Sequence, residues 1–148
     1  MAAVRRATVT WEGDLAHGKG QLSADTSKAF SDLPVTWASR IERADGRTSP
    51  EELLGAAHAS CYAMALSHIL GSGKTPPQRL QVEATVTFEQ TDGGFKVASS
   101  ALTVQGTVPG LDAAGFQQAA EQAKDNCPIS QAMKGNVALS VQATLQSA

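Results

Sequence analysis

Two cysteines, Cys61 and Cys127, carry the most chemistry available to this 148-residue chain, and they stand in unlike surroundings. Cys61 lies inside "TSPEELLGAAHASCYAMAL", residues 48–66, a run with the spacing of a buried helix. Cys127 follows much later, in "DNCPISQAM". Such a pair can be core filling, a structural bridge or two working thiols. The working form of a cysteine is the thiolate, so local electrostatics separates these readings. Cys127 falls at the predicted start of a helix, where the dipole and free N–H groups favour negative charge. Cys61 falls mid-helix in apolar company, which by itself raises a thiol's pKa and leaves it inert. By sequence physics Cys127 is the more obvious reactive thiol. Cys61 becomes a nucleophile only where the fold brings a cation to it.

Arg40, next to the apolar Ile41, is the leading source of that cation; its alternative reading is a solvated charge at a strand end. Glu51 and Glu52 open the helix that carries Cys61, a position where acids ordinarily complement the dipole. His58 stands one turn before Cys61 on the same side, so a Cys–His pair is a further candidate. A metal site built from His58, Cys61 and Cys127 is a weaker one. The chain has no CxxC or HxxxH spacing, the usual mark of zinc ligands.

These residues depend on the elements that carry them. Residues 4–11, "VRRATVTW", have strand composition, and "EGDLAHGKG" turns them into "QLSAD". "LPVTWASRIE" is expected to be another strand, starting at Pro34 and carrying Arg40 near its end. Ser49-Pro50-Glu51-Glu52 is a capping box with proline at the first helical position. Leu54, Ala57, Cys61, Met64, Ala65 and Ile69 then recur at helical spacing until "GSGKTPP". Leu53, Ala56, Ala63 and Leu66 widen that stripe, so the helix is expected to be largely buried. Apolar and polar residues alternate from Leu80 to Phe88, "QTDGG" turns, and "FKVASSALTVQGTV" returns as a long strand. An amphipathic helix over "PGLDAAGFQQAAEQAKDN", a short one over "CPISQAMKG" and a last alternating strand, "NVALSVQATLQ", complete the chain. Hairpins with grouped helices indicate an α+β class with antiparallel sheets, in a single domain over residues 1–148.

Composition narrows the partners. The apolar fraction is 42% and the net charge −2, with no lysine–arginine block. Nucleic acid is therefore not expected as a partner, because neutralising phosphates needs a clustered basic face. No uninterrupted apolar run reaches about 18 residues, so no membrane-spanning helix is expected. Two arginines near the start are not followed by an apolar stretch, which argues against a secretory signal. Cytoplasmic residence is the resulting default, and in that compartment a permanent structural disulfide is rare.

"TSPEELLGAAHASCYAMAL" and "NCPISQAMK" together resemble the two cysteine motifs of the OsmC/Ohr family of thiol-dependent peroxidases. "WEGDLAHGKGQLS", "SRIERADGRTSPEEL" and "TVPGLDAAGFQQAAEQAK" fall in the family's order, so the resemblance covers nearly the whole chain. The "GKG" segment and the position of Arg40 favour the OsmC branch. The resemblance implies that Cys61 is the peroxidatic cysteine and Cys127 the resolving one. It also implies that Arg40, paired with Glu51, stabilises the Cys61 thiolate, and that the fold is the OsmC type, with sheets wrapped around central helices in an intertwined homodimer. The substrate class it implies is organic hydroperoxides, with hydrogen peroxide reduced more weakly. The reductant is an external dithiol, for which a lipoyl-type molecule fits the family; no cofactor or metal is implied. Ile41, Tyr62 and Ser49 depart from common family residues and bear on pocket shape. The competing readings are a non-catalytic small-molecule-binding module and a stress protein whose thiols act as a redox switch.

One geometric consequence follows from spacing. Glu51 and Cys61 are ten positions apart on one predicted helix, roughly 15 Å along its axis. A Glu51 side chain cannot serve the Cys61 of its own helix. Small residues between them (Gly55, Ala56, Ala57, Ala59 and Ser60) permit two such helices to cross closely. Active sites shared across a two-fold axis are therefore expected.

Overall fold

Alternating threonine and valine in "ATVTWE" form β1, Ala7–Glu12, in the computed structural model, which describes residues 1–148. Contacts along the chain group into two compact units, Met1–Leu53 and Leu54–Ala148. In the first, β1 pairs antiparallel with β2, Lys19–Ala24, which pairs antiparallel with β3, Leu33–Val35. The β1–β2 register places Val9 opposite Leu22 and Trp11 opposite Gly20.

The expected strand over "LPVTWASRIE" ends at Val35. A short helix, α1, replaces its second half at Trp37–Ile41. The cause is a capping box: the Thr36 side chain accepts from the Ser39 N–H at 3.0 Å, and Ser39 Oγ accepts from the Thr36 N–H at 3.0 Å. Two orphan donors of the first turn are thus satisfied locally, which favours helix over continued pairing. Arg40 accordingly sits in the last turn of α1, not on a strand.

α2 runs from Pro50 to Ser72 without interruption. Ser49 Oγ accepts from the Glu52 N–H at 3.1 Å, the first half of the expected capping box. The reciprocal half is absent, because the Glu52 carboxylate accepts from Thr48 Oγ1 at 2.8 Å instead. By length and mean composition α2 is apolar enough to span a membrane, a property that core helices of soluble proteins share, although Glu51, Glu52, His58 and His68 interrupt its apolar run. Its buried residues from Gly55 onward are Gly55 itself, His58, Tyr62, Leu66 and Leu70, a single face at helical spacing. The expectation of a largely buried helix is therefore too broad: Met64 remains 72% exposed, and Ala56, Ala57 and Ser60 are exposed with it.

In the second unit β4, Arg79–Thr91, and β5, Gly94–Thr107, form a long antiparallel hairpin. Stacked Phe88 and Phe95, with ring centroids 5.3 Å apart, pack near its turn. β6, Ala138–Leu145, adds to the other side of β5 in parallel. This corrects the expectation of purely antiparallel pairing. A parallel neighbour needs a crossover connection, supplied here by α3, Ala113–Asn126, and α4, Pro128–Met133. The α+β class stands. Asp112 caps α3 by accepting from the Gly115 N–H at 2.7 Å.

The core of this unit joins Tyr62, Leu66 and Leu70 of α2 to Leu102 and Val104 of β5 and Phe116 of α3. Each large side chain so buried contributes about 1.5–3 kcal/mol. Gly106 of β5 lies directly beneath the Phe116 ring, where a Cβ would overlap the ring atoms. Tyr62 also buries its hydroxyl, which donates to the Ala120 carbonyl at 3.0 Å. That bond satisfies the polar end of a fully buried ring, and burial raises the phenol's pKa.

Candidate active site

Arg40 and Glu51 meet within the first unit. Arg40 Nη2 donates to Glu51 Oε1 at 2.7 Å, and Nε lies 3.1 and 3.2 Å from the two carboxylate oxygens. This is the fork geometry that guanidinium offers and an ammonium does not. The Glu51 side chain is 8% exposed and that of Arg40 29%, so the acid is the more deeply held partner. The guanidinium carbon also lies 5.8 Å from the centre of the Trp37 ring, one turn earlier on α1. Behind Arg40, Ser39 Oγ lies 3.1 Å from the Thr48 carbonyl, tying α1 to the segment that leads into α2. The capping of α1 therefore aims Arg40 and the start of α2 presents Glu51. Glu51 engages Arg40 from the first turn of α2.

Cys61 and Cys127 meet within the second unit, and both are free thiols. Cys61 is half-buried on α2; Cys127 is fully buried and occupies the N-cap position of α4, as its sequence setting indicated. Its side chain makes no capping hydrogen bond. Burial, first of all, pushes the Cys61 thiol up. Hydrogen bonding and charge interaction with Cys127 push it further, while the Ile129 backbone N–H draws it down. The two thiols are therefore near neighbours. Within its own unit Cys61 is held protonated, as its apolar helix indicated.

His58 is fully buried and does not fit the role of base for Cys61. Its Nδ1 lies 2.7 Å from Ser100 Oγ and its Nε2 2.8 Å from Ser130 Oγ, so both ring nitrogens are engaged. Desolvation lowers its pKa and keeps the ring neutral. The same two bonds leave no nitrogen for a metal ion. The serine partners were not among the residues singled out by sequence. Ser130, three residues after Cys127, had the spacing to face the same way, while Ser100 is unmarked inside an alternating strand.

Gly55 also takes a place different from the one its size suggested. A Cβ there would stand 3.3 Å from the Ala84 carbonyl of β4, so this glycine admits the chain's own sheet. It is buried, while Ala56 and Ala57 beside it are exposed.

The fold and the two paired constellations define a cysteine-centred α+β protein of a recognisable kind. Residues 43–142 match the family described as OsmC-like protein. The chain is 38% identical over 142 residues to the protein named Peroxiredoxin OsmC from Escherichia coli, covering 96% of this chain and 98% of that one. It is 27% identical over 139 residues to an organic hydroperoxide resistance protein of Xanthomonas axonopodis pv. citri. Among solved structures, the organic hydroperoxide resistance protein OhrB of Bacillus subtilis superposes with a TM-score of 0.74 at 27% identity, covering 94% of this chain and 98% of that one. The chain belongs to the OsmC family.

Proposed function

We propose that the chain is a cysteine-based peroxidase that reduces organic hydroperoxides, and hydrogen peroxide more weakly, through Cys61 and Cys127. The observation that carries this reading is the adjacency of two free thiols, one half-buried and one fully buried, in a member of the OsmC family. The Cys61 thiolate attacks the distal oxygen of the hydroperoxide, breaking the O–O bond. Cys61 becomes a sulfenic acid and the alkoxide leaves as alcohol after taking a proton. Cys127 then displaces the sulfenic hydroxyl as water, forming the Cys61–Cys127 disulfide. An external dithiol, for which a lipoyl-type molecule is the candidate, returns both residues to thiols and is itself oxidised to a disulfide.

Burial alone disfavours the thiolate, so this cycle needs a cation beside Cys61. Arg40 is the residue proposed for it, oriented by Glu51. α2 carries Glu51 and Cys61 ten positions apart on one unbroken helix, roughly 15 Å along the axis. This favours delivery of an Arg40–Glu51 pair to the Cys61 of a second copy. The exposed face at Ala56, Ala57, Ser60 and Met64 suits a crossing of two α2 helices. In this reading residues 1–148 act as one domain, with Arg40 in one compact unit and Cys61 in the other.

Counting thiols after one equivalent of cumene hydroperoxide tests the reading. The expected result is rapid loss of two thiols per chain, restored by a dithiol. No loss selects a non-catalytic binding module, and slow loss without turnover selects a redox switch.

A further inference from the structure

The Ser100–His58–Ser130 bridge stands beside the two thiols and takes no part in the cycle above. It joins three elements: β5 through Ser100, α2 through His58 and α4 through Ser130. All three side chains are essentially shielded from solvent, with His58 and Ser100 fully buried and Ser130 2% exposed. A neutral imidazole donates through one nitrogen and accepts through the other, so it satisfies one hydroxyl of each kind and leaves no buried polar atom orphaned. The placement is symmetric about the thiols. His58 precedes Cys61 by three residues on α2, and Ser130 follows Cys127 by three residues in α4.

α4 needs such an anchor. It has six residues, fewer than an isolated helix requires to hold itself, so its position comes from tertiary contacts. Disulfide formation is demanding in turn, because two cysteines join without strain only over a narrow range of separation and torsion. Cys127 offers no capping bond of its own to fix the start of α4. The Ser130–His58 bond connects that helix to α2 one turn away from the thiols, and the Ser100–His58 bond ties the same ring to β5.

We infer that His58 is a positioning residue: through Ser130 it holds α4 so that Cys127 is presented to Cys61. The proposal adds to the peroxidase reading a residue that governs the resolving step and touches neither peroxide nor sulfur. When the bridge is broken, Cys127 spends less time within reach. The Cys61 sulfenic acid then survives longer, and a second molecule of peroxide can oxidise it to the sulfinic acid, releasing a second alcohol.

The test separates positioning from peroxidase activity. Wild-type protein, Ser130→Ala and His58→Gln are each equilibrated with mixtures of reduced and oxidised glutathione. Oxidised glutathione takes the electrons of the two thiols as the intramolecular disulfide forms. Acid quenching and mass spectrometry then give the effective concentration of one thiol toward the other. Ser130→Ala, which deletes only the α4 end of the bridge, is expected to lower that concentration about ten- to a hundredfold, the scale on which loss of close positioning acts. His58→Gln keeps a donor and an acceptor on one planar group and is expected to recover most of it. With cumene hydroperoxide, Ser130→Ala is expected to accumulate Cys61 sulfinic acid, seen as a gain of two oxygens. An unchanged effective concentration in Ser130→Ala, even with a lowered melting temperature, overturns the proposal. So does His58→Gln behaving as badly as Ser130→Ala. A wild-type chain that forms the disulfide in glutathione but consumes no hydroperoxide overturns the peroxidase reading and leaves the positioning role standing.

Discussion

Arg40 and Glu51 grip each other through one edge of the guanidinium, with both carboxylate oxygens within 3.2 Å of Nε. The residues are eleven positions apart in sequence. Arg40 comes from a five-residue helix where a strand is expected, and Glu51 meets it from the first turn of α2. An arginine oriented this way is a fixed charge whose direction is set before any substrate arrives.

Removing either partner should therefore have a distinct signature. Glu51→Gln leaves the guanidinium without its counter-charge and is expected to cost roughly 1–3 kcal/mol of stability as well as slowing turnover. Arg40→Met is expected to fold while oxidation of Cys61 slows sharply. In that variant alkylation of Cys61 should keep rising with pH beyond about 8.5, the ordinary thiol value, because burial raises the pKa and only higher pH restores the thiolate. Arg40→Lys should rescue poorly, since a point charge cannot reproduce the fork. Stopped-flow oxidation and iodoacetamide labelling across pH measure both effects. Wild-type rates in Arg40→Met would remove Arg40 from the mechanism.

The two cysteines should fail differently. Cys61→Ser is expected to abolish hydroperoxide consumption. Cys127→Ser is expected to react once and then stall or proceed to the sulfinic acid, as mass spectrometry of the quenched protein would register. Full turnover in both variants would be incompatible with a two-thiol cycle.

His58 supplies a stability signature of its own. Its folded-state pKa is lowered by burial, so the unfolded chain binds a proton that the folded chain refuses. The stability it allows is fully present above the unfolded value of about 6.5 and is lost as pH falls below that value. Melting temperatures at pH 7.5 and 5.5 should therefore differ more for the wild type than for His58→Gln, which has nothing to titrate. Equal differences in the two proteins would mean that the buried imidazole accepts its proton without penalty.

Met64 tests the shared site. At 72% exposure within one chain, its replacement by glutamate should leave a lone subunit folded. Across two crossing α2 helices the same charge would be desolvated, so Met64→Glu is expected to give monomers and to lose peroxidase activity together. Sedimentation velocity with parallel assays reads both. An active monomer would rule out delivery of Arg40 by a second copy.

Much of this was legible in the amino-acid sequence, and the exceptions have physical causes. The alternation of Leu80 to Phe88 and the Ser49-Pro50 start of α2 are local patterns, and both appear where expected. α1 was missed because its capping box uses serine at the third helical position, where glutamate or glutamine is the usual signal. The direction of β6 was missed because alternation states that a strand has two faces, not which way it runs. The thiol pair and the arginine–glutamate pair are legible through the resemblance of their motifs to those of a family. The His58 bridge is not, because its partners lie 42 and 72 positions away and serine carries no pattern of its own.

The parallel addition of β6 also orders events in the nascent chain. No tight turn can pair it with β5; residues 108–137 must first be laid down and packed as the crossover, which contains Cys127. The buried core that contains Cys127 also contains Val141 of β6, so that core is complete only when the final strand docks. Pairings of such long sequence separation form late. The burial that hides Cys127 in the folded chain therefore belongs to a core that closes last, after every other element has been made.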